Sequence, residues 1–213
     1  MFKLLKILRG RPNDRRGVSL LEMMVAMGIF LLVLGGLTSI LLFSFSSRNI
    51  IWEQLITQNE GRLVVQVFVN ELRSANQSSV GAYTIEKAES NQLIFFSNID
   101  SDSYRERIRY FLSGSYFKKG VTKPAGNPLT YDTSTEAITT IAHDVANSSS
   151  TPIFTYYSQT YISSVSSTPL PSPVTTTLIR VVGVQLILEE DPRFSPVPLT
   201  IQAKAEIRNL KDN

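Results

Sequence analysis

Residues 15–25 read Arg15-Arg16-Gly17-Val18-Ser19-Leu20-Leu21-Glu22-Met23-Met24-Val25, and the passage from two arginines through a glycine into an apolar run decides the architecture. From Val18 to Ser47 the chain holds 30 residues and a single charge, Glu22. About 20 apolar residues cross the hydrocarbon core of a bilayer, so 18–47 is predicted to be a spanning helix. Six bases (Lys3, Lys6, Arg9, Arg11, Arg15, Arg16) precede it. The positive-inside bias therefore puts the N-terminus in the cytoplasm and everything after Arg48 on the far side. A cleavable secretory signal would have an apolar run of roughly 7 to 15 residues ending at a small-x-small site, and this run is too long for one.

A short basic leader, a glycine, and an apolar helix with glutamate as its fifth residue resemble the N-terminus of type IV prepilins and type II secretion pseudopilins. The resemblance implies cleavage after Gly17 by a membrane peptidase on the cytoplasmic side. It also implies methylation of the new amine at Val18, and retention of the apolar stretch in the mature protein. Glu22 is singled out by elementary physics as well. A carboxylate within a span costs several kcal/mol near the bilayer centre and less near its edge, so such a residue is functional by default and wants a cation. The helix N-terminus gives it some dipole stabilisation. The mature Val18 amine, otherwise an unpaired charge drawn into an apolar filament core, is its natural partner. The competing reading makes Glu22 a snorkelling acid at the membrane boundary.

Outward from the span, no proline occurs between Pro12 and Pro124. Gly28, Gly35 and Gly36 are the weak points of the helix, and the Gly35–Gly36 pair is where unwinding is expected if it occurs anywhere. Close helix packing through small residues is the equal alternative for these glycines. The helix is expected to continue from Arg48 to Ala75, giving about 58 residues and roughly 87 Å. Ile51, Trp52, Leu55, Ile56 and Leu63 form one apolar side and Val64, Val65, Val67, Phe68, Val69 and Leu72 another, with Gly61 at the changeover. The remainder predicts antiparallel strands at 82–89, 92–98, around Ile108-Tyr110-Leu112, at Tyr116-Phe117, 152–157, 178–188 and 199–207. In the last of these Leu199, Ile201, Ala203, Ala205 and Ile207 alternate with polar neighbours, so one face is wet and the other packs on the helix. The expected fold is α+β: a basic leader (1–17), a membrane and assembly helix (18–47), the outer stem (48–76) and a sheet head (77–213). Within the head lies 163–177, where twelve of fifteen residues are Ser, Thr or Pro, expected to be a mobile loop.

Composition bounds the rest. The chain has 213 residues, 43% hydrophobic and 18% charged, with no cysteine, which removes disulfides, thiolate metal sites and cysteine nucleophiles. The net charge of +3 belongs to the leader: of 21 bases and 18 acids, the first 16 residues hold six and one, leaving 15 bases against 17 acids. Nucleic acid is accordingly not an expected partner, although Arg105, Arg107, Arg109, Lys118, Lys119 and Lys123, interleaved with Tyr104, Tyr110 and Tyr116, would make a basic stripe if left free. The single histidine, His143, stands beside Asp144 without a G-x-S-x-G elbow, and no P-loop, G-x-G-x-x-G or H-E-x-x-H is present. No enzyme activity and no cofactor are expected. Asp100, Asp102 and Glu106 have the oxygen chemistry of calcium ligands without the glycine and glutamate placement of an EF-hand. Glu189-Glu190-Asp191 before Pro192 reads as an acidic turn.

Fainter similarity in Ile108-Arg109-Tyr110-Phe111-Leu112 and in the final Ile207-Arg208-Asn209-Leu210 resembles minor pilins of the W type and minor pseudopilins of the J type. It implies a structural subunit that helps initiate assembly near a filament tip. Its partners would be a prepilin peptidase and methylase, other pilin or pseudopilin subunits, an inner-membrane assembly platform, and lipid before assembly. Two alternatives share the anchor: a single-pass membrane-bound binding protein or enzyme, and a DNA-uptake receptor at a pilus tip.

Overall fold

A computed structural model describes residues 17–100, 102–161, 168–189 and 198–210, with backbone alone for 46–54, 56 and 57. The leader bases, residues 163–167 of the Ser/Thr/Pro segment, Glu190, Asp191 and the side chains of Ile51, Trp52 and Ile56 lie outside it. The chain divides into two compact units, Met1–Arg48 and Asn49–Asn213.

One α-helix, α1, runs from Leu20 to Arg73 and so begins in the first unit and ends in the second. Its opening 26 residues, Leu20–Phe45, have a mean hydropathy of 2.4, and none of them is buried. A helix apolar on every side, and covered by nothing among the described residues, suits lipid or other helices. The helix continues unbroken through Gly28, Gly35 and Gly36. A glycine costs about 1 kcal/mol relative to alanine, too little to interrupt an otherwise proline-free helix. The hydroxyls of Thr38 and Ser39 bond back to the carbonyls of Leu34 (2.8 Å) and Gly35 (2.9 Å), which satisfies the polar side chains inside the apolar stretch.

In the second unit the helix presents Gly61, Val65, Phe68 and Leu72, followed by Ala75 just past its end, to the interior. That 3.6-residue spacing resolves the two apolar sides of the sequence into one stripe, with Leu55, Leu63 and Val67 left exposed. Against it lie two antiparallel sheets where one was expected. The first is a five-stranded meander of β1 (Ile85–Ala88), β2 (Gln92–Ser97), β3 (Glu106–Ser113), β4 (Tyr116–Thr122) and β5 (Ala137–Ala142). The second is β6 (Phe154–Tyr157), β7 (Val181–Leu188) and β8 (Leu199–Glu206). β5 falls between the strands expected at Tyr116-Phe117 and 152–157, where no strand was expected. In the second sheet β6 is an edge strand that pairs with β7, Phe154 opposite Val184 and Tyr157 opposite Val181. Residues 178–180 are not strand as expected, since Thr176–Leu178 forms a 3-10 turn and β7 starts at Val181. β8 keeps the expected alternation, with every polar residue from Thr200 to Glu206 exposed.

Phe68 is the centre of the core, fully buried, edge-on to Phe95 (6.5 Å) and Tyr110 (5.0 Å) of the first sheet and 5.6 Å from Phe154 of the second. Truncating such a ring costs about 3–5 kcal/mol. Gly61 packs where a Cβ would meet Ile201 Cδ1 at 2.3 Å and Leu188 Cδ1 at 2.8 Å, so the absent side chain lets α1 approach the second sheet. The sheets are also joined by Phe154 N–H donating to Ser90 O (2.9 Å) and Tyr156 Oη donating to Glu89 O (2.6 Å). Residues 168–177 are partly anchored on the head. Leu170 and Val174 pack against the core and Leu170 N–H bonds to Tyr156 O at 2.7 Å, so two apolar residues hold this part of a segment whose composition alone suggested disorder.

Candidate functional site

The junction between leader and helix sets the first site. Gly17, Val18 and Ser19 precede α1 in exposed chain outside any helix or strand. A Cβ built on Gly17 would meet nothing within 4 Å, and its φ is not in the left-handed region, so neither packing nor backbone conformation calls for glycine there. Ser19 is the N-cap of the helix. Its backbone N–H donates to Glu22 Oε2 at 2.9 Å, and Glu22 N–H donates to Ser19 Oγ at 3.2 Å. This reciprocal capping box satisfies two of the orphan donors of the first turn and fixes the Glu22 side chain at the helix end. Sequence reading found Glu22 as a membrane acid and missed Ser19, although Ser-x-x-Glu before an apolar run was the available signal. Glu22 is the third residue of the apolar stretch Leu20–Phe45, close to its end, where a carboxylate would cost least in a membrane.

The basic stripe is not a free cationic surface. Four of its six cations hold acidic partners: Arg107 binds Glu86 through Nε and Nη2, both at 2.7 Å, and Arg109 grips Glu136 at 2.8 and 2.5 Å. Lys119 pairs with Glu71 and Lys123 with Asp100. Gly120, opposite Arg109 in the ladder, leaves the opening that Glu136 fills, because a Cβ there would lie 2.2 Å from Glu136 Oε1. Glu71 also accepts from Tyr110 Oη at 2.7 Å, which ties the end of α1 to β3 and β4. Burial, with Glu71 beside it, pushes the Tyr110 phenol up beyond the tyrosine range. Two of these pairs are bidentate and a third is buried, so most of the stripe's charge is already engaged within the head.

Asp100, Asp102 and Glu106 are brought together between β2 and β3, one carboxylate oxygen of each lying within 4.8 Å of the others. Glu106 is fully buried, and its Oε2 accepts from Ile99 N–H at 3.0 Å. The hydrogen bond from Lys123 holds the Asp100 carboxyl below the usual range and raises the lysine in turn. Elsewhere, His143 is well exposed in the loop after β5, with Nδ1 2.8 Å from Asp144 Oδ2 and Nε2 4.0 Å from Glu60 Oε2. Both ring nitrogens face carboxylates.

No curated protein matches the chain. Residues 12–38 match the family model of the prokaryotic N-terminal methylation motif, a segment that contains Gly17, Val18, Glu22 and the first half of the apolar helix. Together with the long N-terminal helix and the antiparallel α+β head, that motif supports the type IV pilin and pseudopilin class, structural subunits that a prepilin peptidase processes.

Proposed function

We propose that the chain is a minor subunit of a type IV pilus or a type II secretion pseudopilus, of the W or J type. A prepilin peptidase removes the leader after Gly17 and the Val18 amine is N-methylated. The segment 18–47 holds the subunit in the inner membrane as a single pass, with the head outside. On assembly it leaves the lipid and packs against the same segment of other subunits, handled by an inner-membrane platform. Glu22 then pairs with a neighbour's Val18 amine.

The observation that carries this reading is the junction itself: a glycine the fold does not need, set between a basic leader and an exposed apolar helix whose first turn holds its one carboxylate. The apolar helix and the motif are consistent with single-pass anchoring in the inner membrane. Protease added to spheroplasts tests the topology. The head is expected to be digested from outside while a tag on the leader of an unprocessed variant stays protected. A head that survives until the inner membrane is lysed would defeat the proposal.

A further inference from the structure

We propose that the cleft where the end of α1 meets the second sheet binds a small polyhydroxylated anion, a sugar acid or a sugar phosphate, through Arg73, Arg180 and Lys204. The cleft has a volume of about 340 Å³ and brings these three cations together with one acid, Glu206. It therefore carries an excess of two positive charges, in a chain that beyond residue 16 holds 15 bases against 17 acids. Two guanidinium forks and an ammonium are the groups that grip a carboxylate or a phosphate, the forks through paired hydrogen bonds. The volume lies at the lower end of the range for small-molecule sites and exceeds what a bare ion needs. Ser158 and Gln159 add neutral donors and acceptors to the wall, which suit hydroxyl groups.

The second observation is how Lys204 is held. Its ammonium lies 4.5 Å from the ring centre of Tyr157 and 4.9 Å from that of Tyr161, and the two rings touch each other with centroids 4.9 Å apart. Tyr157 stands on β6 and Lys204 on β8, with β7 between them. Gly183, the β7 residue opposite Lys204, leaves the strand bare there. A Cβ on it would lie 2.5 Å from Thr155 Oγ1 and in contact with Tyr157 Cε2 (3.5 Å) and Lys204 Cγ (3.6 Å), so the side chains of both neighbouring strands close over it. Glycine inside a strand weakens the strand and marks a close approach. What approaches here is an aromatic clasp, which fixes the ammonium by cation–π attraction without a carboxylate to cancel it.

Among the described residues neither Arg73 nor Lys204 forms an ion pair, although Glu206 lines the same cleft. Arg180 is oriented by its own loop, Nη1 donating to Thr177 O at 2.8 Å and to Ile179 O at 3.1 Å. The first sheet treats its cations differently, pairing Arg107, Arg109, Lys119 and Lys123 with carboxylates. Cations fixed in place ahead of the ligand reduce the ordering cost of binding. A single cleft with an acid on its wall holds one anionic group and not a row of phosphates, which separates it from a nucleic-acid surface. All of these residues belong to the unit Asn49–Asn213, so the site does not depend on the filament role proposed above.

The test uses the full chain in a neutral polyoxyethylene detergent, titrated by calorimetry with glucuronate, glucose 6-phosphate, inorganic phosphate and glucose. At least one of the two sugar anions is expected to bind saturably, one per chain, and the one that binds identifies the anionic group. That ligand should also raise the melting temperature in a concentration-dependent way. Glucose should not bind, and inorganic phosphate should bind at least about tenfold more weakly than the sugar anion, because it leaves the neutral wall unused. Arg73→Gln and Lys204→Gln, both at exposed side chains where folding is not at stake, should each weaken the sugar anion at least about tenfold, since each removes a charge-assisted hydrogen bond. Lys87→Gln, outside the cleft, should leave it unchanged. The site is overturned if neither sugar anion saturates, if glucose or inorganic phosphate binds as tightly as the sugar anion, or if Arg73→Gln and Lys204→Gln both bind like the wild type. Displacement of the sugar anion by a lower concentration of a thymidine oligonucleotide would overturn it in favour of a nucleic-acid surface.

Discussion

Replacing Gly17 with leucine is expected to leave the leader attached to essentially all of the protein, which then stays in the membrane and outside any filament. The argument starts from what the fold does not require. A side chain at this position enters open space, and the backbone there is not left-handed, so the substitution has no folding penalty to confuse the result. A partner that must approach the chain closely would supply a reason for glycine between Arg16 and Val18 that the fold itself does not. A peptidase threading this strand past its own backbone is such a partner, and a branched side chain at the cleaved residue blocks the approach. The effect is close to all-or-none, because an uncleaved subunit keeps six basic side chains on the cytoplasmic side of an apolar helix that would have to leave the membrane. Mass spectrometry of the variant reads the outcome directly. A variant that matures like the wild type would remove Gly17 from the site.

Glu22→Gln is expected to be processed normally, to remain in the membrane, and to enter filaments at least about tenfold less well, since removing one partner of a buried pair costs several kcal/mol. Apolar contact alone cannot set the register of neighbouring spans, because lipid is as apolar as the helices themselves. Something polar must do so, and Glu22 is the one charge from Val18 to Ser47. Glutamine serves the capping box as well as glutamate does, so the contacts with Ser19 survive and only the charge is lost. Ser19→Ala makes the converse change. It removes the cap, worth about 1 kcal/mol of helix stability, and keeps the charge, so it should assemble nearly as wild type. If instead Ser19→Ala is as defective as Glu22→Gln, or if Glu22→Gln assembles normally, Glu22 serves its own helix and not its neighbour.

Which parts of this were legible in sequence follows from the range of the interactions concerned. The span, the leader and the junction are written in contiguous residues, and the periodicity of β8 survives because its two faces meet different surroundings along the whole strand. The capping box was equally local and went unread because Glu22 was weighed against the membrane, the helix dipole and the Val18 amine but not against Ser19. β5 was missed for a different reason. Its residues Ala137 to Thr140 are exposed, so the hydrophobic alternation that marks a strand is weak, and only the β-branched Ile138-Thr139-Thr140-Ile141 hinted at it.

Long-range pairings were out of reach. The basic residues of the hairpin are visible in sequence, but Glu86, Glu136 and Glu71, which neutralise them, stand 21, 27 and 48 positions away. The acidic trio was found by composition and spacing, yet what separates it from a solvated turn is the burial of Glu106, and that depends on β3 entering the core at its first residue. The single sheet expected from the strand count is two sheets, and both reach the same buried residue of α1. Phe68 touches the first through Phe95 and Tyr110, and the second through Phe154.

The most direct measurement is the intact mass and N-terminal sequence of the protein recovered from cells that carry a prepilin peptidase. The account predicts a chain that has lost Met1 to Gly17 and begins at Val18, with the added mass of one methyl group on its amine. A chain that still begins at Met1, or one cut beyond Phe45 so that the apolar helix is gone, would contradict it.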